Sequence, residues 1–295
     1  MIDKLEMFIA LANERHFGRA AEAVGVTQPS LSGAIRQLED QLGVQLVFRG
    51  SRFQGLTPEG QRVLDWARRI VGDVRTMKDE MRAVRSGVSG NLRIGVIPTA
   101  LPMVARLTAP FLARNPNVRL TILSRTSAEI LTGIESLDLD AGITYLDNEP
   151  LGRVAHVALY RETYRLLVGA GSPLAARHSV TWQEAAAEPL CLLTGDMQNR
   201  RIINQHLGQA GAAANPRVES NSTIALVAHV ASGGWASIVS DALASQFQGS
   251  GLAAIPMTEP VASHLVGLIV AHREPHTPVV TALMDEASRL SGIDS

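Results

Sequence analysis

Residues 18–42 constrain the chain most, because they read as a short helix, a tight turn and a second helix with two dissimilar faces. In the second helix Leu31, Ile35, Leu38 and Leu42 recur at steps of four, three and four, so they share one side. Thr27 is placed to cap its N-terminus, and Pro29 fits a first turn whose backbone N–H groups lack partners. Gln28, Ser30, Ser32 and Arg36 are left facing outward. Short donors and acceptors with a guanidinium, on a helix end whose dipole favours phosphate, suit the DNA major groove. Ala20, Ala21, Ala23 and Val24 let the first helix be crossed closely, and Gly25 supplies the turn. The pattern also fits an ordinary helical hairpin with a solvated face, so its surroundings have to decide.

Upstream, Leu5, Phe8, Ile9 and Ala12 form an amphipathic helix, with Phe17 as a further core anchor. Downstream, residues 46–49 and 55–58 are two short extended pieces joined by a basic, glycine-containing tip, which predicts a wing. Arg49 and Arg52 on that tip would meet the sugar–phosphate backbone, adding affinity and register but little sequence information. From Pro58 to Arg85 a long helix follows, in which Val63, Ala67, Ile70, Val74, Met77, Met81 and Val84 alternate steps of four and three. A pure seven-residue repeat is a coiled-coil seam. A helix of roughly 40 Å is too long to bury that seam in one small domain, and the simplest partner is a second copy. A long helix lying across its own domain is the other reading.

These residues together resemble the LysR-type transcriptional regulators. The resemblance runs in register from Phe8 through Ala20-Ala21, residues 26–32, Ile35, Leu38-Glu39, residues 42–44, Leu46 and Arg49 to residues 56–60. It implies a winged helix-turn-helix, a dimerising linker helix and a C-terminal effector domain of periplasmic-binding-protein type. It further implies a homodimer or homotetramer on double-stranded promoter DNA, activation or repression, and RNA polymerase as a further partner. The chain departs from the family pattern at Gly33, where a larger, often basic residue is usual, at Val47, where Phe is usual, and at His16, where Ser is frequent.

Beyond the small-residue hinge at 87–90 the pattern changes to alternating strands and helices. Strands at 92–97, 118–123 and 140–145, with helices around 100–115 and 127–137 between them, predict an α/β parallel sheet. A second subdomain reads from about 163 to 264, after which a strand at 264–271 and a helix at 278–290 return to the first. The expected division is therefore 1–58 for the DNA-binding domain, 59–86 for the linker helix, 87–90 for the hinge and 91–295 for the effector domain. Within the last, subdomain I takes about 91–162 and 265–295, and subdomain II about 163–264.

In open sheets of this kind ligands bind beyond the carboxyl ends of strands, where helix N-termini converge. Those positions hold Thr99, then Thr126 and Ser127, then Thr144, and their hydroxyls suit a small carboxylate or other anion. Thr99 and Ser127 could equally be plain helix caps. The resemblance implies an effector in the cleft between subdomains, and the facing positions are Met197, Asn199, Arg200 and Asn221. Arg200 could pair with an acidic effector or lie solvated, and Arg201 competes for the role.

Other classes are disfavoured. The net charge is −1, divided as +2 over residues 1–90 and −3 over the remainder. The single cysteine, Cys191, sits in an apolar run and reads as a buried, inert thiol. No G-x-S-x-G elbow, phosphate loop or dinucleotide fingerprint is present, so catalytic residues and cofactors are not expected. His272 and His276 are four apart, but Pro275 between them breaks the helix that a metal pair would need. Without a signal peptide or a membrane-length apolar stretch, a cytoplasmic location is expected. The alternative from another class is a solute-binding receptor whose N-terminal head contacts protein rather than DNA.

Overall fold

The computed structural model describes residues 1–48, 53–247 and 249–291. The chain divides into two compact units, one built on Met1–Ser89 and one on Gly90–Ile134, Leu139–Arg273 and the stretch from Val279.

The first unit contains α1 (Ile2–Glu14), α2 (Phe17–Ala23), α3 (Gln28–Leu42) and α4 (Pro58–Ser86). The imidazole of His16 starts α2, its Nδ1 accepting the N–H groups of Gly18 (3.1 Å) and Arg19 (3.3 Å). Gly25 takes the left-handed conformation (φ 71°) that the turn into α3 requires. Thr27 then caps α3, accepting the N–H of Ser30 at 3.4 Å. Leu31, Ile35 and Leu38 are buried against Phe8, Leu11, Ala20 and Ala21, as their spacing predicts. Leu42 is not: it is 41% exposed, being the last residue of α3 before the Gly43 cap, beyond the reach of the α1 and α2 packing.

The wing is pinned to α3. Val47 and Leu56 form an antiparallel bridge, and the Glu39 carboxylate accepts the backbone N–H groups of Leu46 (2.8 Å) and Val47 (3.2 Å). Thr57 both donates to the Gln45 carbonyl (2.6 Å) and accepts the Gly60 N–H (2.9 Å), joining the wing to the start of α4. The expected phosphate contacts Arg49 and Arg52 lie outside the described residues. On α4, Leu64 and Ala67 belong to the core of this unit and Val63 packs against it. Ala67 has no exposed surface, so the head itself uses the first two positions of the predicted seam. From there Ile70, Met77, Met81 and Val84 are exposed, Val84 by 81%, and Val74 is half-buried.

The second unit holds β1 (Ser89–Val96), α5 (Leu101–Arg114), β2 (Asn117–Ser124), α6 (Ser127–Glu135), β3 (Ala141–Tyr145) and β4 (Val154–Gly169). After these come β5 (Val180–Thr181), α7 (Trp182–Ala186), β6 (Cys191–Leu193), α8 (Gln198–Gln209), β7 (Val218–Ser220) and α9 (Thr223–Ala231). The chain closes with β8 (Ala236–Ser240), α10 (Asp241–Ser245), β9 (Leu252–Thr258), β10 (Ser263–Ala271) and α11 (Pro278–Ser291). The large sheet runs β2-β1-β3-β10-β4-β9-β5, with β8 also on β4, and a small parallel sheet joins β6 and β7. β1 and β3 are parallel, whereas β10 is antiparallel to both β3 and β4, so the sheet is mixed rather than parallel throughout.

β4 is one strand with two sets of neighbours. Residues Val154–Thr163 pair with β10, and Tyr164–Val168 pair with β8 while Arg165–Gly169 pair with β9. Strands β8 and β9 and the first half of β4 do not stand out in the sequence. Buried Ser237 and Ser240 interrupt β8, and buried Glu162 interrupts β4. Each is accommodated by hydrogen bonds rather than by apolar packing, Ser237 for example donating to the Cys191 carbonyl at 2.8 Å.

Gly60 carries a packing requirement that can be tested. A Cβ there would lie 2.0 Å from the Leu46 carbonyl oxygen, a backbone atom that cannot swing aside. Gly60→Ala is expected to destabilise the head by about 3 kcal/mol, at the upper end for overpacking. Denaturant unfolding and DNA binding of the full-length chain check this; wild-type behaviour in both would show that the wing does not approach α4 so closely.

Candidate nucleic-acid interface and effector cleft

The start of α3 presents an exposed polar surface. Thr27, Gln28, Pro29, Ser30 and Arg36 are exposed and Ser32 is half-buried. The hydroxyls of Thr27 and Ser30 lie 2.9 Å apart, and the buried stripe of Leu31, Ile35 and Leu38 holds the helix from behind. This geometry gives short hydrogen-bonding side chains and one long cation at a helix N-terminus, the arrangement that reads base edges in a major groove.

In the second unit a cleft of about 420 Å³ opens beyond the ends of β1, β2, β6 and β7. It is lined by Pro98, Leu101, Ser124, Arg125, Thr126 and Glu129, and by Asp196, Met197 and residues 221–224. Of the residues expected to touch an effector, Thr126, Met197 and Asn221 line it. Thr126 and Glu129 close a reciprocal cap on α6: the Thr126 N–H donates to the Glu129 carboxylate (2.8 Å), and the Glu129 N–H donates to the Thr126 hydroxyl (3.1 Å). Ser222 likewise caps α9, accepting the Ala225 N–H. Arg125 is exposed, and its Nη1 donates to the neighbouring Ser124 carbonyl at 3.0 Å.

The other expected residues lie behind the cleft wall, where they bond to one another. Thr144 donates to Ser127 at 3.0 Å. Thr99, Glu162 and Asn199 converge on one phenol oxygen, that of Tyr145. Tyr145 donates its only hydrogen to the Glu162 carboxylate, and accepts from Asn199 Nδ2 (3.0 Å) and from the Thr99 hydroxyl (3.2 Å). All the hydrogen-bonding capacity of that hydroxyl is used, and its partners come from β4, α8 and the turn after β1. Glu162 is buried, and desolvation is the main reason its carboxyl is pushed up to about 7, against the hydrogen bond from Tyr145 that favours the anion.

A second chain of side chains ties α8 to β10. The carboxylate of Asp147 faces His264 Nδ1 at 3.2 Å and accepts the Leu265 N–H at 2.8 Å, and His264 Nε2 lies 3.0 Å from His206 Nε2. If Asp147 accepts from Nδ1–H, the hydrogen between the rings belongs to His206; these tautomers follow from the bonding pattern. Burial, and then the adjacent His264, hold the His206 pKa below the usual imidazole range.

The two arginines are both committed inside the protein. Arg200 is buried, with Nη1 donating to the Leu193 carbonyl (2.9 Å) and to the Glu219 carboxylate (2.5 Å). Arg201 grips Glu149 through Nε (2.6 Å) and Nη2 (2.8 Å), and this pair keeps the Glu149 carboxyl below the usual range. Neither guanidinium lines the cleft; the cation there is Arg125. Nothing in the spacing distinguishes Arg125 from its neighbours, because its position depends on where β2 ends. The Tyr145–Glu162 contact was also invisible in one dimension, a carboxylate in an apolar strand giving no pattern of its own. Cys191 is buried as expected, its Sγ against the carbonyls of Leu226 and Ala236, and burial pushes its thiol pKa up. Among the described residues no group of three or more His, Cys, Asp or Glu could hold a metal ion, and no helix is long and apolar enough to cross a membrane.

Comparison with known proteins places this geometry. Residues 2–61 match the family model "Bacterial regulatory helix-turn-helix protein, lysR family", and residues 85–291 match "LysR substrate binding domain". The chain is 31% identical over 273 residues to the DNA-binding transcriptional dual regulator OxyR of Escherichia coli K12, covering 91% of this chain and 88% of that protein. It is 33% identical over 236 residues to the hydrogen peroxide-inducible genes activator of Pectobacterium carotovorum, covering 79% and 77%. Among solved structures, a full-length OxyR variant from Pseudomonas aeruginosa superposes with a TM-score of 0.76 at 26% identity, over 99% of this chain and 96% of that one. CbnR bound to its target DNA superposes at 0.60, with 21% identity over 99% of both chains, a likeness of fold.

Glu162 makes the second unit pH-sensitive in a definite direction. Its carboxyl titrates near 4.5 when solvated and near 7 when folded, so between those values the folded chain binds more protons. Its contribution to stability is complete below about 4.5 and is lost as pH rises towards 7, by up to about 3 kcal/mol. Glu162→Gln keeps an acceptor for Tyr145 and removes the titration, so denaturant unfolding from pH 5 to 8 should flatten relative to wild type. An unchanged slope would mean that this carboxyl does not govern it.

Proposed function

The chain belongs to the LysR-type family of DNA-binding transcriptional regulators, and from that premise we propose that a small organic acid bound in the cleft sets how it occupies DNA. The observation carrying this reading is the cleft itself: about 420 Å³ beyond the ends of β1, β2, β6 and β7, with Arg125, Ser124, Thr126 and Ser222 among its lining residues. A cation and hydroxyls at helix starts are suited to a carboxylate. Thr126, Met197 and Asn221 contact the ligand in this reading, while Thr99, Ser127, Thr144 and Asn199 shape the wall behind it and Arg200 braces α8.

The names of the relatives describe a response to hydrogen peroxide. A disulfide within one chain requires two cysteines, and this chain has one, buried and with its thiolate disfavoured. A reversible ligand is therefore a better fit to these residues than an intrachain thiol switch. On the DNA side, Gln28, Ser30, Ser32 and Arg36 read base edges, and Arg49 and Arg52 hold phosphates. A second copy covers the seam of exposed Ile70, Met77, Met81 and Val84 and half-buried Val74, which sets two recognition helices on successive half-sites.

Two substitutions separate these roles. Arg36→Ala should weaken binding to a specific site by about tenfold or more, as loss of a base contact does, and non-specific binding much less. Equal losses in fluorescence anisotropy titrations on both DNAs would argue against base contact. Arg125→Ala should leave the unliganded DNA affinity unchanged and abolish the rise in melting temperature that C3 to C6 organic acids produce. A retained rise would move the acid elsewhere.

A further inference from the structure

The cleft lining carries one cation, Arg125, and two acids, Asp196 and Glu129. Arg125 makes no ion pair among the described residues, its guanidinium meeting only the carbonyl of Ser124. Asp196 follows β6 on the other wall. Its backbone carbonyl accepts from Arg201 Nη1 at 2.7 Å, and its charge is the last-ranked influence on that guanidinium, whose Nε and Nη2 are held by Glu149. The Asp196 carboxylate itself has no cation within 4 Å among the described residues. The other acid on the lining, Glu129, accepts the Thr126 N–H as part of the α6 cap, which fixes its position but leaves its negative charge in place. A cation without an ion pair thus stands after β2, and an anion without one after β6, both on the cleft lining.

A simple organic anion answers only half of this. As the cleft loses water around such a ligand, the Asp196 carboxylate becomes a repulsive neighbour, because the charge interaction strengthens as the local dielectric falls. A ligand with a carboxylate and an ammonium group turns that repulsion into attraction and brings a positive charge to a lining with more acids than cations. We infer that the effector is a zwitterion of the amino-acid class, with its carboxylate towards Arg125 and its ammonium towards Asp196. Pro98, Leu101, Met197 and Ile224 give the same cleft an apolar portion, which suits a short apolar or weakly polar side chain on the ligand. This inference rests on the reading of the cleft as the effector site, and it narrows the organic acids to those carrying an amino group.

Matched probes test both levels. The full-length protein is titrated by calorimetry and thermal shift with the apolar and small polar L-amino acids, each beside its des-amino carboxylate and its decarboxylated amine; for valine these are 3-methylbutanoate and 2-methylpropylamine. The expected result is at least one amino acid binding tenfold or more tightly than either truncated partner. Asp196→Asn should then reduce that amino acid to the affinity of its des-amino carboxylate without lowering the affinity for the carboxylate. Because Asp196 is exposed, the unliganded melting temperature should stay at the wild-type value, so a lost preference cannot be assigned to unfolding. Carboxylates that bind as tightly without the amino group as with it overturn the zwitterion and leave the anion reading standing. If no carboxylate of either kind binds, both readings fall.

Discussion

The second unit depends on one strand that belongs to both of its halves. β4 pairs with β10 along residues Val154–Thr163 and with β8 and β9 from Tyr164 onward, so the two parts of the sheet share one continuous backbone. Glu162 sits where the partners change. Its carboxylate takes the Tyr145 hydrogen, and Tyr145 takes hydrogen bonds from Thr99 after β1 and from Asn199 of α8. The Asp147–His264–His206 chain adds a second tie between β10 and α8. A ligand in the cleft, whose walls include Pro98 beside Thr99 and Met197 near Asn199, therefore presses on residues that neighbour a buried hydrogen-bond network. Such networks favour discrete arrangements over gradual ones, which is what a two-state response to an effector requires.

The head solves a different problem with similar economy. A recognition helix must expose its polar N-terminal end while remaining firmly seated, and Leu31, Ile35 and Leu38 do the seating. Glu39 takes two wing N–H groups, Thr57 spans from Gln45 to Gly60, and Gly60 allows the Leu46 carbonyl to come close. Each of these residues falls within the stretch that carries the family resemblance, and each has a local steric or hydrogen-bonding reason to be there.

What could be read in one dimension was the part held together by local rules. The α3 stripe follows from helical spacing, its start from Thr27 and Pro29, and the strands β1, β2 and β3 from short apolar runs. Much less legible was whatever depends on residues distant in the chain. The buried serines of β8 and Glu162 of β4 hide strands whose polar groups are satisfied across the fold. Arg200 reads as a ligand-binding cation until Glu219 and Leu193 are seen beside it, and Arg125 gains its place in the cleft only from the end of β2. The seam on α4 was legible in its period. The use of Val63 and Ala67 by the head's own core was not, because it depends on α1, which lies far upstream, packing against the start of α4.

An account in which a cleft ligand governs DNA occupancy obeys a reciprocity that can be measured directly. The dissociation constant of a cleft ligand should be determined for the free protein and for the protein saturated with its own promoter DNA. The two values are expected to differ by the factor by which saturating ligand changes the DNA dissociation constant, as linkage requires. Identical ligand affinities in the two states would contradict the account, because a ligand indifferent to bound DNA cannot regulate it.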